Sequence, residues 1–561
     1  MLNMWSNAHR TAVAVCILGT VCILCLAPFV NKAFHIDDPV FLWVAGQIQS
    51  HPFDFYGFTG NWNGTDNPVW DIQKNPPLAS YYIALAAYWF GWSEKALHIL
   101  FLVPALAAAI GIYYLARELS ARPLEAALIS MLTPVFMLSS TSLMCDTLML
   151  SFWIWAVVFW IQGIRSDRPF CLFCAALLIA ACSLTKYYGI SLIPLLLAYS
   201  LAEKRSLGHW TLFLSIPVFI LAAYQWLTYS LYGRGLLIDA FSYATEQQSF
   251  GGAQRFTRAL TGLAFTGGCL ITTLFYSPLL WRRRILVFGS FLIMLIAITL
   301  PLLHMPNAFP LLTAHGEKWL FVIQFSLFTV AGVNVLLLAI ADLWKRRDGD
   351  ALLLLLWVSG TVIFASFLNW SVNGRSILPI VPVAGILVIR RVSERERARQ
   401  IAHNAGRVKF IFPLVPALLL VLWVNWSDYR FADSARIAAA EIHHRYGKNP
   451  GTLWFLGHWG FQYYMESHGG KPVEFKKSTL SPGDIVILPL NNSHVYSLTS
   501  QNSLGIIDEL RVPSARGLAT MDSSLGAGFY SDFWGSLPFA LGTVRDERYF
   551  VFLVMNTMKL Q

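Results

Sequence analysis

Long apolar runs recur along this chain and restrict it to a membrane-spanning fold. A helix needs about 17–25 apolar residues to cross a bilayer, and runs of that length repeat between residues 11 and 427. The chain is 56% hydrophobic and only 13% charged, with a mean hydropathy of +0.54. Such a composition is too apolar for a soluble protein of 561 residues. The first run, residues 11–30, has no small-residue cleavage pattern and is interpreted as a retained span.

The runs predict a polytopic, all-α membrane domain over residues 1–427, with about thirteen transmembrane helices. The predicted spans are residues 11–30, 97–116, 123–140, 147–164, 170–185, 188–201, 209–231, 260–280, 285–303, 319–343, 351–369, 376–390 and 409–427. Residues 428–561 are polar and aromatic and hold no further run of membrane length. They predict a small C-terminal α/β domain, called the tail domain below. Its predicted helices are 431–446 and 461–467, and its predicted strands are 452–456, 484–488 and 549–554.

The distribution of Lys and Arg predicts the orientation. With the N-terminus inside, 20 of the 41 basic residues fall in inner loops and 9 in outer loops. Residues 78–92 decide this count, because they are apolar but too short for a comfortable span, and rich in Tyr and Trp. We predict an interfacial or re-entrant helix here, within a first outer loop of residues 31–96.

This topology predicts a multi-pass protein of the inner (plasma) membrane with a cytoplasmic N-terminus and an extracytoplasmic tail domain. The formal net charge of +10 is then a consequence of topology, and no nucleic-acid partner is expected.

An acidic pair, Asp37 and Asp38, follows the first run directly. Adjacent carboxylates repel each other, so such a pair often has a raised pKa, binds a cation or acts as a base. Asp38 before Pro39 is also a good helix start, so Asp38 could cap a helix while Asp37 faces a cavity. Asp146 enters an apolar helix at its predicted outer end and is a second functional candidate. An acid at a helix N-terminus also suits the helix dipole, which is the structural alternative.

Two isolated cations, Lys186 and Arg375, lie on the same predicted outer face. They stand at the level of a lipid phosphate, and Arg suits bidentate phosphate recognition. Snorkelling to lipid head groups is the alternative. The further substrate-binding candidates on this face are Lys74, Asn75, Arg255 and Arg258.

A divalent metal at Asp37 and Asp146 is possible, but no ligand spacing supports it. The sequence has no Walker loop, no G-x-G-x-x-G after a strand and no G-x-S-x-G elbow, so no cofactor is indicated. In the tail domain, His458-Trp-Gly-Phe-Gln462 is interpreted as a structural turn between a strand and a helix. A sugar-binding surface is the alternative there, since aromatic faces suit pyranose rings.

Together these motifs resemble the GT-C glycosyltransferases, in the protein O-mannosyltransferase-like branch that includes the lipid A aminoarabinose transferase. The resemblance covers residues 1–427 and rests on Asp37-Asp-Pro-Val-Phe41, Asn75-Pro-Pro-Leu78, Asp146, Leu184-Thr-Lys186 and Arg375-Ser-Ile-Leu-Pro-Ile-Val-Pro382. Asp38 stands where Glu is usual in the family, and Asn75 where His or Lys often precedes Pro-Pro-Leu.

The resemblance implies an enzyme that uses a sugar donor linked to polyprenyl phosphate. It further implies transfer, with inversion, to a lipid, glycan or protein acceptor at the outer face. Asp37 would be the base or the acceptor-orienting carboxylate, supported by Asp38 and Asp146. Lys186 and Arg375 would hold the donor phosphate.

Two other functions use a similar membrane domain. A secondary transporter places carboxylates near mid-membrane in broken helices, whereas the acidic residues here cluster at one face. A flippase or ligase for lipid-linked glycans is nearer in chemistry and stays open as an alternative.

Overall fold

Helices form most of the structure, and nearly all strands lie after residue 452. The computed structural model describes residues 2–246, 252–302, 318–398, 410–495 and 503–559. The helices of the first range are Leu2–Leu26, Asp38–Ser50, Val69–Ile72, Leu78–Phe90, Glu94–Leu119, Pro123–Met131, Pro134–Ser139, Asp146–Ser166, Pro169–Thr185, Leu192–Lys204, Trp210–Tyr232 and Leu236–Glu246. Those of the later ranges are Gly252–Cys269, Thr272–Phe275, Ser277–Leu280, Arg283–Leu302, Lys318–Arg346, Gly349–Ile363, Gly374–Ile377, Val381–Ala398, Leu414–Tyr446 and Trp459–Ser467.

Eight helices in the described ranges are long and apolar enough to cross a bilayer. They are Ala8–Phe29, Glu94–Leu119, Asp146–Ser166, Trp210–Tyr232, Arg283–Pro301, Trp319–Arg346, Gly349–Leu368 and Gly374–Ala398. The chain is thus a multi-pass membrane protein, but the predicted count of thirteen spans is not confirmed.

The other five predicted spans fall on shorter, broken or differently placed helices. Residues 123–140 form two helices, because Pro134 begins a new one three residues after the first ends at Met131. The predicted spans 170–185 and 188–201 become helices of 17 and 13 residues. Residues 260–280 divide into three helices, and 409–427 lies at the start of a longer one.

The helix Leu78–Phe90 has the length expected of an interfacial or re-entrant segment. Its 13 residues span roughly 20 Å, short of the ~30 Å hydrocarbon core. It packs on the helix Asp38–Ser50, where the Gln49 side chain donates to the Ala84 carbonyl at 2.9 Å. Its outer side chains, Leu85, Tyr88, Trp89 and Phe90, are exposed.

The 33-residue helix Leu414–Tyr446 joins the membrane domain to the tail domain without a break. The predicted boundary at residue 427 falls inside it, so the change in sequence character there is not a break in the backbone. The strands of the tail domain pack along this helix, and near its middle Ser427 Oγ donates to the Leu518 carbonyl at 2.6 Å.

The tail domain contains a five-stranded mixed sheet. Its strands, in spatial order, are Lys471–Pro472, Leu453–Phe455, Ile485–Pro489, Glu547–Val554 and Leu504–Val512. The first three are parallel, and Glu547–Val554 runs antiparallel to both of its neighbours, with an irregularity between Val551 and Phe552. The predicted strands and the helix 461–467 are confirmed to within about two residues, whereas the helix predicted at 431–446 is the second part of the longer helix Leu414–Tyr446. Leu504–Val512 was missed because its apolar and charged residues, mostly half-buried, do not alternate.

Four short strand pairs complete the structure. They are Thr59–Asn61 with Asp66–Pro68, Thr479–Leu480 with Met558–Lys559, Leu518–Ala519 with Ala540–Leu541, and Met521–Asp522 with Ala527–Gly528. The first pair is a hairpin in the first outer loop, and it contacts the tail domain through Asn61, whose side chain donates to the Val473 carbonyl at 3.1 Å.

Charged side chains fasten the helices together at the end of the membrane domain away from the tail domain. Arg390 Nε donates to the last carbonyl of a membrane helix, that of Leu119, at 2.7 Å, and Arg390 Nη1 donates to Asp342 at 2.6 Å. Arg165 donates to Asp350 and to the Glu118 carbonyl. We call this group the distal cluster: Glu118, Arg165, Asp342, Asp350 and Arg390.

Candidate functional site

A cavity of about 970 Å³ lies between the membrane helices, the first loop and the tail domain. This volume is in the range of small-molecule and cofactor sites. From the membrane helices it is lined by Trp153, Tyr188, Leu195, Leu356 and Trp357, among others; from the first loop by Asp37, Trp62, Lys74 and Asn75; and from the tail domain by Trp459, His494, Tyr530 and Trp534.

A strained turn presents Asp37 to the cavity. Ile36 has a φ of +50°, a left-handed conformation that is costly for a β-branched side chain. The turn is held because Phe34 N–H donates to the Tyr464 hydroxyl at 2.8 Å. A Cβ on Gly460 would lie 2.0 Å from the Phe34 carbonyl oxygen, so only glycine permits this close approach. The Asp37 side chain is 37% exposed and lines the cavity.

Asp37, Arg375, Asp146 and Lys186 form a chain of alternating charges, which we call the cavity cluster. Arg375 Nη1 lies 3.2 Å from Asp37 Oδ2 and 3.9 Å from Asp146 Oδ2. Lys186 Nζ donates to Asp146 Oδ1 at 2.6 Å. The Asp146 side chain is 1% exposed, whereas Arg375 and Lys186 are 14% and 19% exposed. Asp146 therefore sits behind the two cations and holds them together at the cavity wall.

The tail domain positions Arg375. Gly374 N–H donates to the Phe529 carbonyl at 2.7 Å, and Val372 exchanges two hydrogen bonds with Asp532, at 3.0 and 2.9 Å. The Arg375 guanidinium carbon lies 5.7 Å from the centre of the Tyr530 ring, a cation–π distance. Sequence reasoning missed Tyr530, because no motif in the tail domain indicates which of its residues meet the membrane helices.

Asp38 is placed differently from both of its predicted roles. It is 0% exposed and does not line the cavity. Its Oδ2 accepts from His35 N–H and its Oδ1 from Leu143 N–H, both at 2.9 Å, so it does not cap its own helix. Burial raises the pKa of Asp38 to about 7, while Lys32 and the two N–H donors act in the opposite direction. Asp38 thus fastens the acidic turn to the segment that leads to Asp146.

A second buried carboxylate, Asp428, ties three parts of the chain together beneath the cavity. It accepts hydrogen bonds from Lys32 Nζ at 2.5 Å, from the Tyr530 hydroxyl at 2.9 Å and from Thr520 Oγ1 at 2.8 Å. Lys32 and Asp428 are 1% and 0% exposed. Because Tyr530 also contacts Arg375, this ion pair supports the floor of the cavity cluster. No sequence pattern indicates this ion pair, since the two residues lie 396 positions apart.

Lys74 and Asn75 both line the cavity, as expected. Lys74 Nζ donates to Asp239 at 2.9 Å, and its side chain is 24% exposed. The Asn75 carbonyl accepts a 2.6 Å hydrogen bond from the Tyr56 hydroxyl, which fixes this segment at the rim.

Arg255 and Arg258 do not line the cavity, in contrast to the predicted substrate contacts. Arg255 is exposed on the helix Gly252–Cys269. Arg258 is only 8% exposed and donates to the carbonyls of Ser366, at 3.0 Å, and Asn369, at 2.7 Å. Arg258 therefore stabilises the loop before Arg375, because it satisfies carbonyls that the end of the preceding π-helical turn, Phe364–Leu368, leaves free.

The carboxylates of the cavity cluster are arranged as an ion-pair chain and not as a metal-ligand set. Asp37 and Asp146 both face Arg375, which supplies the positive charge between them. Within the described ranges, no group of three or more His, Cys, Asp or Glu side chains is placed to hold a metal ion.

The turn at His458–Trp459 lies between a strand and the cavity. It joins a strand to the helix Trp459–Ser467, as expected of a structural turn, and Trp459 also lines the cavity. Trp459 has a φ of +58°, and the ring centres of Trp459 and Trp534 are 4.8 Å apart. His494, with a φ of +51°, lines the same side.

Residues 74–229 match the family described as dolichyl-phosphate-mannose-protein mannosyltransferase. This segment contains Lys74, Asn75, Asp146 and Lys186 of the cavity wall. The match confirms the resemblance to GT-C glycosyltransferases that the motifs indicated. No curated protein matches the chain.

Three solved structures are similar to the chain at low identity. The apo oligosaccharyltransferase of Archaeoglobus fulgidus has a TM-score of 0.47 at 12% identity over 84% of this chain and 65% of that one, so the chain spans less than two thirds of its length. ArnT from Cupriavidus metallidurans bound to undecaprenyl phosphate has a TM-score of 0.46 at 12% identity, over 89% and 96% of the two chains. The arabinosyltransferase EmbB from Mycobacterium smegmatis has a TM-score of 0.31 at 13% identity, over 88% and 45%. Likeness at this level says nothing about substrates.

Proposed function

We propose, with the partial mannosyltransferase match as the premise, that the chain is an integral-membrane glycosyltransferase. It moves a sugar from a polyprenyl-phosphate donor to a lipid, glycan or protein acceptor, with inversion. One observation carries the proposal: the cavity cluster places one exposed carboxylate and two cations on the wall of a single cavity that also reaches between membrane helices. A base and a phosphate site are what this transfer needs.

The donor side is the part of the cavity lined by membrane helices. Leu195, Leu356 and Trp357 give this part an apolar wall, which suits a polyprenyl chain that cannot leave the bilayer. Lys186 and Arg375 stand at the same cavity and can each donate to phosphate oxygens. Arg375 also pairs with Asp37 at 3.2 Å. A phosphate bound to Arg375 competes with that pair and releases Asp37 for catalysis.

In the proposed reaction, Asp37 accepts the proton of an acceptor hydroxyl. The hydroxyl oxygen forms a bond to the anomeric carbon of the sugar, on the face opposite the phosphate. The bond between the anomeric carbon and the phosphate oxygen breaks, and its electron pair leaves with polyprenyl phosphate. Lys186 and Arg375 stabilise the extra negative charge on the departing phosphate. Attack from the opposite face inverts the configuration of the anomeric carbon.

Asp146 is proposed to be a positioning residue. Its buried carboxylate lies 2.6 Å from Lys186 Nζ and 3.9 Å from Arg375 Nη1. It compensates the repulsion between two cations that must approach one phosphate.

The proposed location is the inner (plasma) membrane, with the cavity cluster and the tail domain on the extracytoplasmic side. The bias of Lys and Arg toward the other side supports this orientation, as does the placement of the distal cluster at the end of the membrane domain away from the tail domain.

The experiment compares the envelope of cells that lack the gene with cells complemented by wild type, Asp37→Asn or Asp167→Asn. Asp167, with a side chain 67% exposed at a helix end, is the matched control. In cells that lack the gene, mass spectrometry of lipids, glycans and proteins is expected to show two changes. The polyprenyl-phosphate sugar donor accumulates, and one envelope molecule lacks a single sugar. Wild type and Asp167→Asn are expected to reverse both changes, and Asp37→Asn neither.

Three outcomes would contradict the proposal. One is full complementation by Asp37→Asn at normal protein level. A second is that no polyprenyl-phosphate sugar accumulates in cells that lack the gene. The third is loss of a whole glycan in place of a single sugar, which would favour the flippase or ligase alternative.

A further inference from the structure

The side of the cavity away from the membrane helices is built from aromatic rings. We name four of its lining residues the aromatic wall: Trp62 of the first loop, and Trp459, His494 and Trp534 of the tail domain. The donor lipid enters from the membrane side, so this wall faces the space that is left for the acceptor.

The backbone of the aromatic wall is held in costly conformations. Trp459 and His494 have φ values of +58° and +51°, in the left-handed region that is unfavourable for a side chain with a Cβ. Among the described residues, the non-glycine positive φ values outside the cavity belong to Asp167, Arg205, Arg347 and Lys476. Large rings in this conformation at the cavity are therefore a feature of the site and not of ordinary helix ends.

Hydrogen bonds fix the orientation of Trp534. Its indole Nε1 donates to Asn491 Oδ1 at 3.1 Å, and Asn491 Nδ2 in turn donates to the Met521 carbonyl at 3.0 Å. The polar edge of the indole is therefore satisfied within the tail domain. What Trp534 offers to the cavity is carbon surface.

A serine hydroxyl lies on the same side of the cavity as the aromatic wall. Ser493 lines the cavity next to His494 and is 9% exposed. Among the described residues, its Oγ has no hydrogen-bond partner, which is unusual for a buried hydroxyl unless a ligand completes it. Fixed aromatic carbon surface beside a hydroxyl and an imidazole matches a pyranose, which has an apolar C–H face and a rim of hydroxyls.

An extended peptide fits this side of the cavity less well. Peptides that bind by pairing with a sheet need a free strand edge. The edge strands of the five-stranded tail sheet are Lys471–Pro472 and Leu504–Val512, and no residue of either lines the cavity.

We infer that the acceptor is a saccharide, free or lipid-linked, and that its terminal sugar ring binds against the aromatic wall before it receives the transferred sugar. This inference rests on the proposed function and adds the class of acceptor and the residues that recognise it. The aromatic wall would set acceptor affinity and leave donor affinity unchanged.

The first test asks which molecule loses the sugar. Envelope material from cells with and without the gene is digested with protease, and the peptide and protease-resistant glycan fractions are analysed separately. The missing sugar is expected in the glycan or glycolipid fraction, attached to another sugar. A missing sugar attached directly to Ser, Thr or Asn of a peptide would overturn the inference while leaving the proposed glycosyl transfer intact.

The second test separates acceptor from donor binding in the purified full-length protein. The protease-treated glycan fraction of cells lacking the gene serves as acceptor, and their polyprenyl-phosphate sugar extract as donor. For Trp534→Ala, we expect the apparent KM for the acceptor fraction to rise at least tenfold and that for the donor to change less than twofold. Trp534→Phe should recover most of the loss, because a phenyl ring keeps an aromatic face.

The control for this test is Trp344→Ala, since Trp344 is 77% exposed on a membrane helix far from the wall. Trp62→Ala is a second variant of the aromatic wall on a different segment, for use if Trp534→Ala fails to fold. Unchanged acceptor KM in both wall variants would overturn the inference. Inactivity of wild type with this donor, or full activity of Asp37→Asn, would count against the proposed function and not against the wall alone.

Discussion

The cavity cluster and the distal cluster are built from the same residue types and share one helix, yet they differ in what surrounds them. Arg375 and Arg390 both lie on Gly374–Ala398, fifteen residues or roughly 22 Å apart along the helix. Arg390 is 2% exposed and bonded to a backbone carbonyl and a carboxylate. Arg375 is 14% exposed on a large cavity, and its closest carboxylate, Asp37, is 37% exposed.

The difference teaches that charge at the end of an apolar helix does not by itself identify a functional site. In the distal cluster the groups satisfy one another and the ends of helices. In the cavity cluster, Asp146 Oδ2 and Arg375 Nε are buried without a hydrogen-bond partner in the described part of the chain. Buried polar atoms that lack a hydrogen-bond partner beside a cavity distinguish a binding site from a structural ion network.

The largest expected effects come from removing the two arginines. Arg390→Ala leaves the Leu119 carbonyl without its donor and Asp342 with Arg346 as its remaining partner, and is expected to lower the free energy of unfolding by about 1–3 kcal/mol. Arg375→Ala is expected to lower the rate of transfer by about 10²–10³-fold, with little change in stability. Thermal unfolding in nanodiscs and transfer rate, measured on the same preparations, check both. A loss of stability in Arg375→Ala together with normal stability in Arg390→Ala would contradict the comparison.

Lys186 and Lys74 extend the comparison to two lysines that both line the cavity. Lys186 is held toward the cavity by Asp146, whereas Lys74 is paired with Asp239 near the rim. Lys186→Met is expected to reduce transfer by roughly 10²-fold, as for loss of one electrostatic contact to the transition state. Lys74→Met should reduce it by less than about tenfold, because Lys74 lies at the rim and its carboxylate partner, Asp239, holds no second cation of the cavity cluster. Equal losses, measured as kcat/KM for the donor, would contradict the assignment of the phosphate site.

Glu547 in the tail domain is a buried carboxylate that forms no ion pair with a described residue. Each carboxylate of the distal cluster, in contrast, pairs with Arg165 or Arg390. Burial raises the pKa of Glu547 to about 8, and Asp522 and Asp546 add to this, while Asn491 opposes it. Because the folded state then binds the proton more tightly than the unfolded state, stability falls as the pH rises from about 5 to 8. Glu547→Gln is expected to flatten this pH dependence, which denaturant titrations at several pH values measure. An unchanged slope for Glu547→Gln would contradict the pKa direction.

The smallest effect is expected at Arg255, which neither lines the cavity nor forms part of either cluster. Arg255→Ala should change the free energy of unfolding by less than about 0.5 kcal/mol and leave transfer unchanged. Arg258→Ala is the informative partner, since it leaves the carbonyls of Ser366 and Asn369 without a donor. We expect it to slow transfer several-fold through movement of the loop before Arg375. A large loss for Arg255→Ala would restore its predicted role in substrate binding.

Hydrophobicity and charge counting predicted much of the architecture and the members of the cavity cluster. Placing Asp37, Asp146, Lys186 and Arg375 on one side of the membrane required only topology, and the structure brings all four together. Periodicity also located most tail elements, because their apolar residues alternate or repeat at regular spacing.

Contacts between distant segments could not be predicted in this way. Tyr530 contacts Arg375, and Lys32 contacts Asp428, although each pair is far apart in the sequence and no local pattern marks either residue. Asp37 and Asp38 are adjacent and chemically identical, and only the direction of their side chains separates their roles. The direction of the Asp38 side chain depends on the N–H groups of His35 and Leu143, which donate to its carboxylate. The count of thirteen spans is not confirmed, because hydropathy does not register where prolines and loops interrupt an apolar run.

Single-turnover transfer by Asp37→Asn tests the central claim most directly. Purified protein in nanodiscs is loaded with the polyprenyl-phosphate sugar that accumulates in cells lacking the gene, and mixed with acceptor. The account predicts donor affinity within about threefold of wild type, normal thermal unfolding, and transfer slower by roughly 10²–10⁴-fold, the usual contribution of a general base. Transfer at the wild-type rate by a folded, donor-loaded Asp37→Asn protein would contradict it.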